Sequence, residues 1–159
     1  MTAATIEITE EGKAAIRDWE AEQKARTAIC EQVLADNKSV VFEALQKAAI
    51  VTVHIEFDGS GDEGTIDGVT ARDAHGDIAI PEFSVDVGHA GYCGTVTRST
   101  MKLAGAVEEV VYDILTIHHD GWEINDGAFG ELTFDVSAGT ITYEHHSRFT
   151  ETETFSYEL

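Results

Sequence analysis

Apolar positions recur along this chain with two different periods, and the change falls close to residue 50. Before it the spacing is helical. Thr9 can cap a segment opening on Glu10 and Glu11, whose carboxylates suit the positive end of a helix dipole. Ile16, Trp19, Ala25, Ile29 and Val33 follow at near-helical intervals, with Glu22 and Gln23 interrupting the stripe and narrowing it. The stretch LADNKS (34–39) predicts a break, with Asp36, Asn37 or Ser39 capping a second helix whose stripe is Val40, Val41, Ala44, Leu45 and Ala48.

From VTVHIEF (51–57) onward the period is two: Val51, Val53, Ile55 and Phe57 share one face, and Thr52, His54 and Glu56 the other. TIDGVTARD and IAIPEFSVDV predict two more strands, joined through the turn-forming DAHGD, with Pro81 marking the latter as an edge or bulged strand. Glycine-rich VGHAGYCGT then separates this half of the sheet from a third helix. Ser99 or Thr97 is its expected cap, and Leu103, Val107, Val110, Val111, Ile114 and Leu115 its buried stripe. His118 and His119 fall in its last turn and Gly121 suits its C-cap. Leu132, Phe134, Val136, Ile141 and Tyr143 continue an inner strand face across a Ser137-Ala138-Gly139 turn, and Phe155, Tyr157 and Leu159 suit a final strand. The predicted order is ααβββαβββ. It defines an α+β fold in which N-terminal helices and one later helix pack on one face of an antiparallel sheet of about five to six strands. Residues 1–159 are expected to form a single domain, 1–38 as a helical extension and 39–159 as the sheet-containing core.

Charge sharpens this picture. Thirty acids against ten bases leave a net −20. Residues 1–50 hold nine acids and six bases, a net −3, whereas residues 51–159 hold twenty-one acids and four bases, a net −17. Such a surface repels nucleic-acid phosphates and membrane headgroups and attracts basic partners. No apolar run approaches the ~18 residues of a membrane span, the acidic N-terminus lacks the features of a secretory signal, and Cys30 and Cys93 make no CxxC. A reduced, cytoplasmic protein is expected.

Two segments concentrate acids and glycines: FDGSGDEGTI (57–66) and WEINDGAFGE (122–131). With ITYEHHSRFTETE, they resemble an uncharacterised family of small acidic bacterial proteins, often plasmid- or phage-associated, over roughly residues 40–159. The motifs FDGxGDxG and GWExNDGAxGExxFDV carry the resemblance. Matched positions are Asp58, Gly59, Gly61, Asp62 and Gly64 in the first, and Trp122, Glu123, Asn125, Asp126, Gly127, Gly130 and Glu131 in the second. The resemblance implies a fold and candidate positions without an activity. Glu63, where a small polar residue is usual, and the His145-His146 pair depart from the pattern.

The first motif looks like a calcium loop, but from Asp58 an EF-hand would need Gly at position 6 and a glutamate at position 12, where Glu63 and Val69 stand. A weaker oxygen site remains the alternative, using Asp58, Ser60, Asp62 and Asp126 for Ca or Mg, in a metal-binding domain or a metal-dependent enzyme. The paired histidines 118–119 and 145–146 diverge too far on a helix or strand for neighbours to chelate together. No nucleophile or phosphate-loop signature is present. The primary expectation is therefore a non-catalytic acidic binding protein without a cofactor. It would present Asp58, Asp62, Glu63, Trp122, Glu123, Asn125, Asp126 and Glu131 to a basic protein or complex that handles nucleic acid, binding no nucleic acid or membrane directly. In a plasmid or phage setting that means a DNA-mimic inhibitor of a defence nuclease or a CRISPR complex. Edge strands also leave a homodimer open. Whether the two motifs meet in space is the observation that matters most.

Overall fold

The period-two run after residue 50 becomes the central strand of a five-stranded antiparallel sheet. A computed structural model describes residues 8–159 and gives the order α1 (Glu10–Lys47), β1 (Thr52–Ser60), β2 (Glu63–Arg72), β3 (Asp77–Ile78), β4 (Ser84–Ala90), β5 (Val96–Lys102), α2 (Leu103–His118), β6 (Ala128–Asp135) and β7 (Thr140–Ser147). The sheet runs β3-β2-β1-β6-β7, and β4 and β5 pair separately as a two-stranded ribbon. Alternation decides the faces. Val53, Ile55 and Phe57 of β1 and Ala128, Leu132 and Phe134 of β6 are buried, while the residues between them point to the solvated side.

The predicted stripe of α2 closes over that inner face. Leu103, Ala106, Val107, Val110, Val111, Ile114 and Leu115 are all buried in one cluster with the sheet residues. At ~1.5–3 kcal/mol for each large side chain taken out of water, this layer supplies much of the drive to fold. The C-terminal half of α1 packs on α2 and β4, and Phe42 stacks on Phe134 with ring centroids 5.6 Å apart.

Several expectations are corrected. The N-terminal region holds one 38-residue helix instead of two, and α1 passes residue 38 without interruption. The reason lies in Asn37, which does not cap anything. Its amide is buried against β4, donating to the Gly88 carbonyl and accepting from the Gly88 N–H, both at 2.8 Å. With its side chain spent on a distant peptide group, Asn37 no longer competes with its own helix. Pro81 does not bulge one long strand; it separates β3 from β4. VGHAGYCGT is the far end of the β4–β5 ribbon, and Thr97 and Ser99 lie inside β5, where Ser99 meets His89 at 2.7 Å. The cap position of α2 is Lys102, without a side-chain bond, and the Leu103 N–H is satisfied by the Phe83 carbonyl at 2.9 Å. At its other end the capping residue is His119, with Gly121 (φ 75°) in the turn beyond. The β6–β7 turn is one residue longer than expected because the Val136 N–H leaves the hairpin to bond the Val51 carbonyl. Phe155, Tyr157 and Leu159 are exposed and belong to no strand. The full order is therefore αβββββαββ.

Two outcomes test this packing. Asn37→Ala should cost about 2–4 kcal/mol in urea denaturation, because it strands both polar groups of a buried peptide. Asn37→Asp should lose a large part of that stability too, since it cannot donate to the Gly88 carbonyl. On the flank of α2, burial and the neighbouring Glu109 push the Asp113 carboxyl up to about 6. Between the unfolded value of 3.8 and about 6 the folded chain holds the extra proton, so this group's contribution falls as pH rises through that window. Asp113→Asn should thus stabilise by roughly 1 kcal/mol near neutral pH, after allowing for solvent screening, and by almost nothing near pH ~4. Thermal melts at the two pH values measure the difference.

Candidate functional site

The two acidic glycine motifs do meet, and they meet through backbone. FDGSGDEGTI is mostly strand: β1 and β2 continue into it and reverse over two residues, Gly61 (φ 59°) and Asp62 (φ 68°). Positive φ at both central residues makes this a tight type I′ hairpin. WEINDG wraps the turn. The Gly61 N–H donates to the Asn125 carbonyl at 2.9 Å and the Asp62 N–H to the Glu123 carbonyl at 3.0 Å. Trp122 is buried flat over the hairpin, and a Cβ on either Gly59 or Gly64 would collide with its indole ring. Gly127, at φ 73°, comes so close that a Cβ there would overlap the Gly59 carbonyl. On its other side Trp122 meets Phe57 edge to face, 5.5 Å between ring centroids. The glycines of both motifs are thus a clasp, spent on close approach.

This geometry sorts the predicted residues. Asp58 points outward but is engaged inside the molecule: Arg148 grips its two carboxylate oxygens at 2.9 and 2.8 Å and also donates to the Gly59 carbonyl at 3.2 Å. The guanidinium holds the Asp58 carboxyl below its usual range. Asp62 serves the turn, and Glu63 is exposed beside it, paired across the hairpin with Ser60. Glu123 contributes its carbonyl to the clasp, while its Oε2 is buried without a hydrogen-bond partner among the described residues. Asn125 takes a left-handed φ of 58°. Asp126 is exposed, and with Ser60, Asn125 and Arg148 it borders an open groove. Among the described residues no three His, Cys, Asp or Glu side chains are placed to hold one metal ion.

Glu131 leads elsewhere, to a constellation absent from the motif reading. On the solvated face of the sheet Glu56, Glu131 and Glu144 sit directly opposite one another on β1, β6 and β7. Facing residues on paired strands lie about 4.5–5.5 Å apart at Cα, so three carboxylates form one row. Asp58 and Asp67 lie beside the row, Asp67 at the bulge where β1 and β2 change register. His54 reaches Glu131 at 3.4 Å, and His146 reaches Glu144 at 2.7 Å. Phe129, 41% exposed, is stacked between His146 and the Arg148 guanidinium, with separations of 4.8 and 4.6 Å. Strand alternation alone places each glutamate on the outer face; the register that aligns them joins segments up to 88 residues apart in the chain.

The histidines divide as their positions require. His146 faces outward, whereas His145 turns inward and stacks on His119, ring centroids 3.7 Å apart and 8° from parallel. Tyr143 Oη lies 2.6 Å from His145 Nδ1. Burial, helped by His119 and His146, lowers the His145 imidazole from its ordinary value, and burial pushes the Tyr143 hydroxyl up to about 12. The cluster packs β7 against the segment following α2.

An antiparallel sheet with one helix-covered face and one open acidic face, its hairpin clasped by a tryptophan loop, defines a small α+β acidic domain. Residues 33–159 match the model of a family of unknown function, DUF6878, and the chain belongs to that family. No curated protein and no solved structure matches it. Both clasp motifs and the glutamate row lie inside the matched region.

Gly59→Ala and Gly64→Ala should each destabilise by about 3 kcal/mol or more by driving Trp122 out of its seat, and Gly127→Ala by at least as much. Gly61→Asn should be almost neutral, since nothing lies within 4 Å of its Cβ position and asparagine tolerates that φ. Urea midpoints together with tryptophan emission separate the two classes.

Proposed function

We propose that this protein is a non-catalytic acidic binding protein, and that the open sheet face is the surface it presents. The carrying observation is the row Glu56–Glu131–Glu144. Like charges placed directly opposite on paired strands are destabilising, so the row is an arrangement that folding by itself disfavours. The same residues make good sense as a rigid strip of negative charge with Phe129 as an apolar anchor at its edge. At the strip itself stand Arg148, bound to Asp58 beside the row, His54, 3.4 and 3.8 Å from Glu131 and Glu56, and His146 against Glu144. Of the four bases after residue 50, Arg72, Lys102 and Arg148 are already paired with Asp77, Glu82 and Asp58.

The partner this surface suits is a basic groove that ordinarily holds nucleic-acid phosphates, in a defence nuclease or a CRISPR-type effector acting in the cytoplasm. Carboxylates would stand in the phosphate positions, and association would be steered by charge and weakened by salt. Among the described residues no helix is long and apolar enough to cross a membrane.

Glu56→Gln, Glu131→Gln and Glu144→Gln combined should have opposite effects on folding and binding. Stability should rise by roughly 0.5–1 kcal/mol as the repulsion is relieved. Capture of purified defence nucleases or CRISPR effector complexes at low salt should fall at least tenfold, as should any inhibition of their DNA cleavage. Binding that the triple substitution leaves intact, or that is indifferent to salt, would sink the proposal.

A further inference from the structure

We infer that the N-terminal arm of α1 is a self-association element, pairing antiparallel with the same arm of a second copy. A 38-residue helix is about 57 Å long, and only its later part is engaged with the body. The first long-range contacts come where Arg26 stacks over Tyr92 at 4.4 Å and Ile29 abuts Gly94. Ahead of them, every residue from Glu10 to Ala21 is exposed except Gly12. That is about 18 Å of solvated helix, a length that is marginal on its own in water. It also lies ahead of residue 33, where the match to the family model begins.

The arm is not polar all round. Gly12, Ile16, Trp19, Gln23, Arg26, Cys30, Val33 and Asn37 recur in alternating steps of four and three, the spacing of a coiled-coil seam. The later half of this seam is already used, since Val33 and Asn37 are buried against the body. The earlier half continues the same stripe into solvent, leaving Ile16 and Trp19 44% and 60% exposed.

Charge selects the occupant and its direction. Residues 10–26 carry five acids and four bases, so the arm is close to neutral on a chain of −20. It is the part by which two copies can approach. Acids open the arm at Glu10 and Glu11, and bases close it at Lys24 and Arg26. Side by side in parallel, Lys13 would flank the partner's Ile8 and Glu20 the partner's Ala15, so no opposite charges would meet across the seam. About a two-fold axis between Arg17 and Asp18, however, Ile16 packs on the partner's Trp19, and Trp19 on the partner's Ile16. Lys13 then flanks the partner's Glu20, and Glu20 the partner's Lys13, as two symmetry-related pairs along one side of the seam. Antiparallel arms also hold the two acidic bodies on the order of 25 Å apart, well beyond the ~8 Å screening length of physiological salt.

Sedimentation velocity on the full chain over a concentration series tests this directly. The unmodified chain should show a reversible monomer–dimer equilibrium. Trp19→Glu should abolish it with an unchanged urea midpoint, because Trp19 is 60% exposed on the solvated arm. Lys13→Glu and Glu20→Lys should each weaken dimerisation about fivefold to tenfold, and the two together should restore it to within about twofold. A chain that stays monomeric at every concentration overturns the inference, as does a dimer that survives Trp19→Glu or a double exchange that fails to restore association.

Discussion

The seating of one indole ring on two glycines is the constraint from which the shape of this domain follows. Trp122 can lie over the β1–β2 hairpin only because Gly59 and Gly64, directly opposite one another, have no Cβ to obstruct it. Once seated, the ring draws the segment after α2 across the hairpin turn, where Asn125 and Glu123 offer carbonyls to Gly61 and Asp62. That in turn delivers Gly127 onto the Gly59 carbonyl and starts β6 in register beside β1. The register that aligns Glu56 with Glu131, and through β6–β7 with Glu144, is thus inherited from a contact at the far end of the sheet. Arg148 closes the arrangement from the other side, tying the end of β7 to Asp58 and to the carbonyls of Gly59 and Ala128.

Much of the fold is legible in the residues because the forces that form it are periodic. The inner faces of β1 and β6, the whole stripe of α2 and the hairpin character of the tail follow from alternation or from 3.6-residue spacing. What periodicity misreads is the residue whose partner is remote. Asn37 looks like a helix cap because asparagine usually satisfies local backbone, and its bond to Gly88, 51 positions away, has no local signature. Thr97 and Ser99 look like caps for the same reason and are strand residues of a ribbon whose exposure gives it no apolar alternation. The converse holds at the C-terminus, where Phe155, Tyr157 and Leu159 alternate like a strand but lie along no sheet edge.

The candidate site was legible in a different proportion. Composition and spacing marked both motifs and raised the question of whether they touch, and they do. Their acids attract attention in the sequence, yet their glycines carry the geometry: Arg148 holds the Asp58 carboxylate, while Asp62 and Glu123 join the clasp through backbone N–H and carbonyl. Of the marked residues Glu131 alone belongs to the strip of outward carboxylates. Glu56 and Glu144 read locally as ordinary solvent-side positions of amphipathic strands, because a row across three strands exists only once register is known.

A net charge of −20 could be spread evenly for solubility alone, and the distribution argues against that simpler account. Self-repulsion is least costly when like charges are far apart, so a merely solubilising surface has no reason to place three glutamates on adjacent strands at the same height. Nor does it have reason to leave Phe129 exposed at the end of that row, held between His146 and Arg148, while the near-neutral arm of α1 keeps Ile16 and Trp19 in solvent. Both features carry a free-energy cost in the isolated chain: repulsion in one case, apolar exposure in the other. Each cost would be removed by the partner proposed for that surface, a basic one for the sheet face and an equally apolar, charge-matched one for the arm. The partners proposed for the two surfaces therefore differ in chemistry, and the exposed arm of α1 is separate from the sheet that carries Glu56, Glu131 and Glu144.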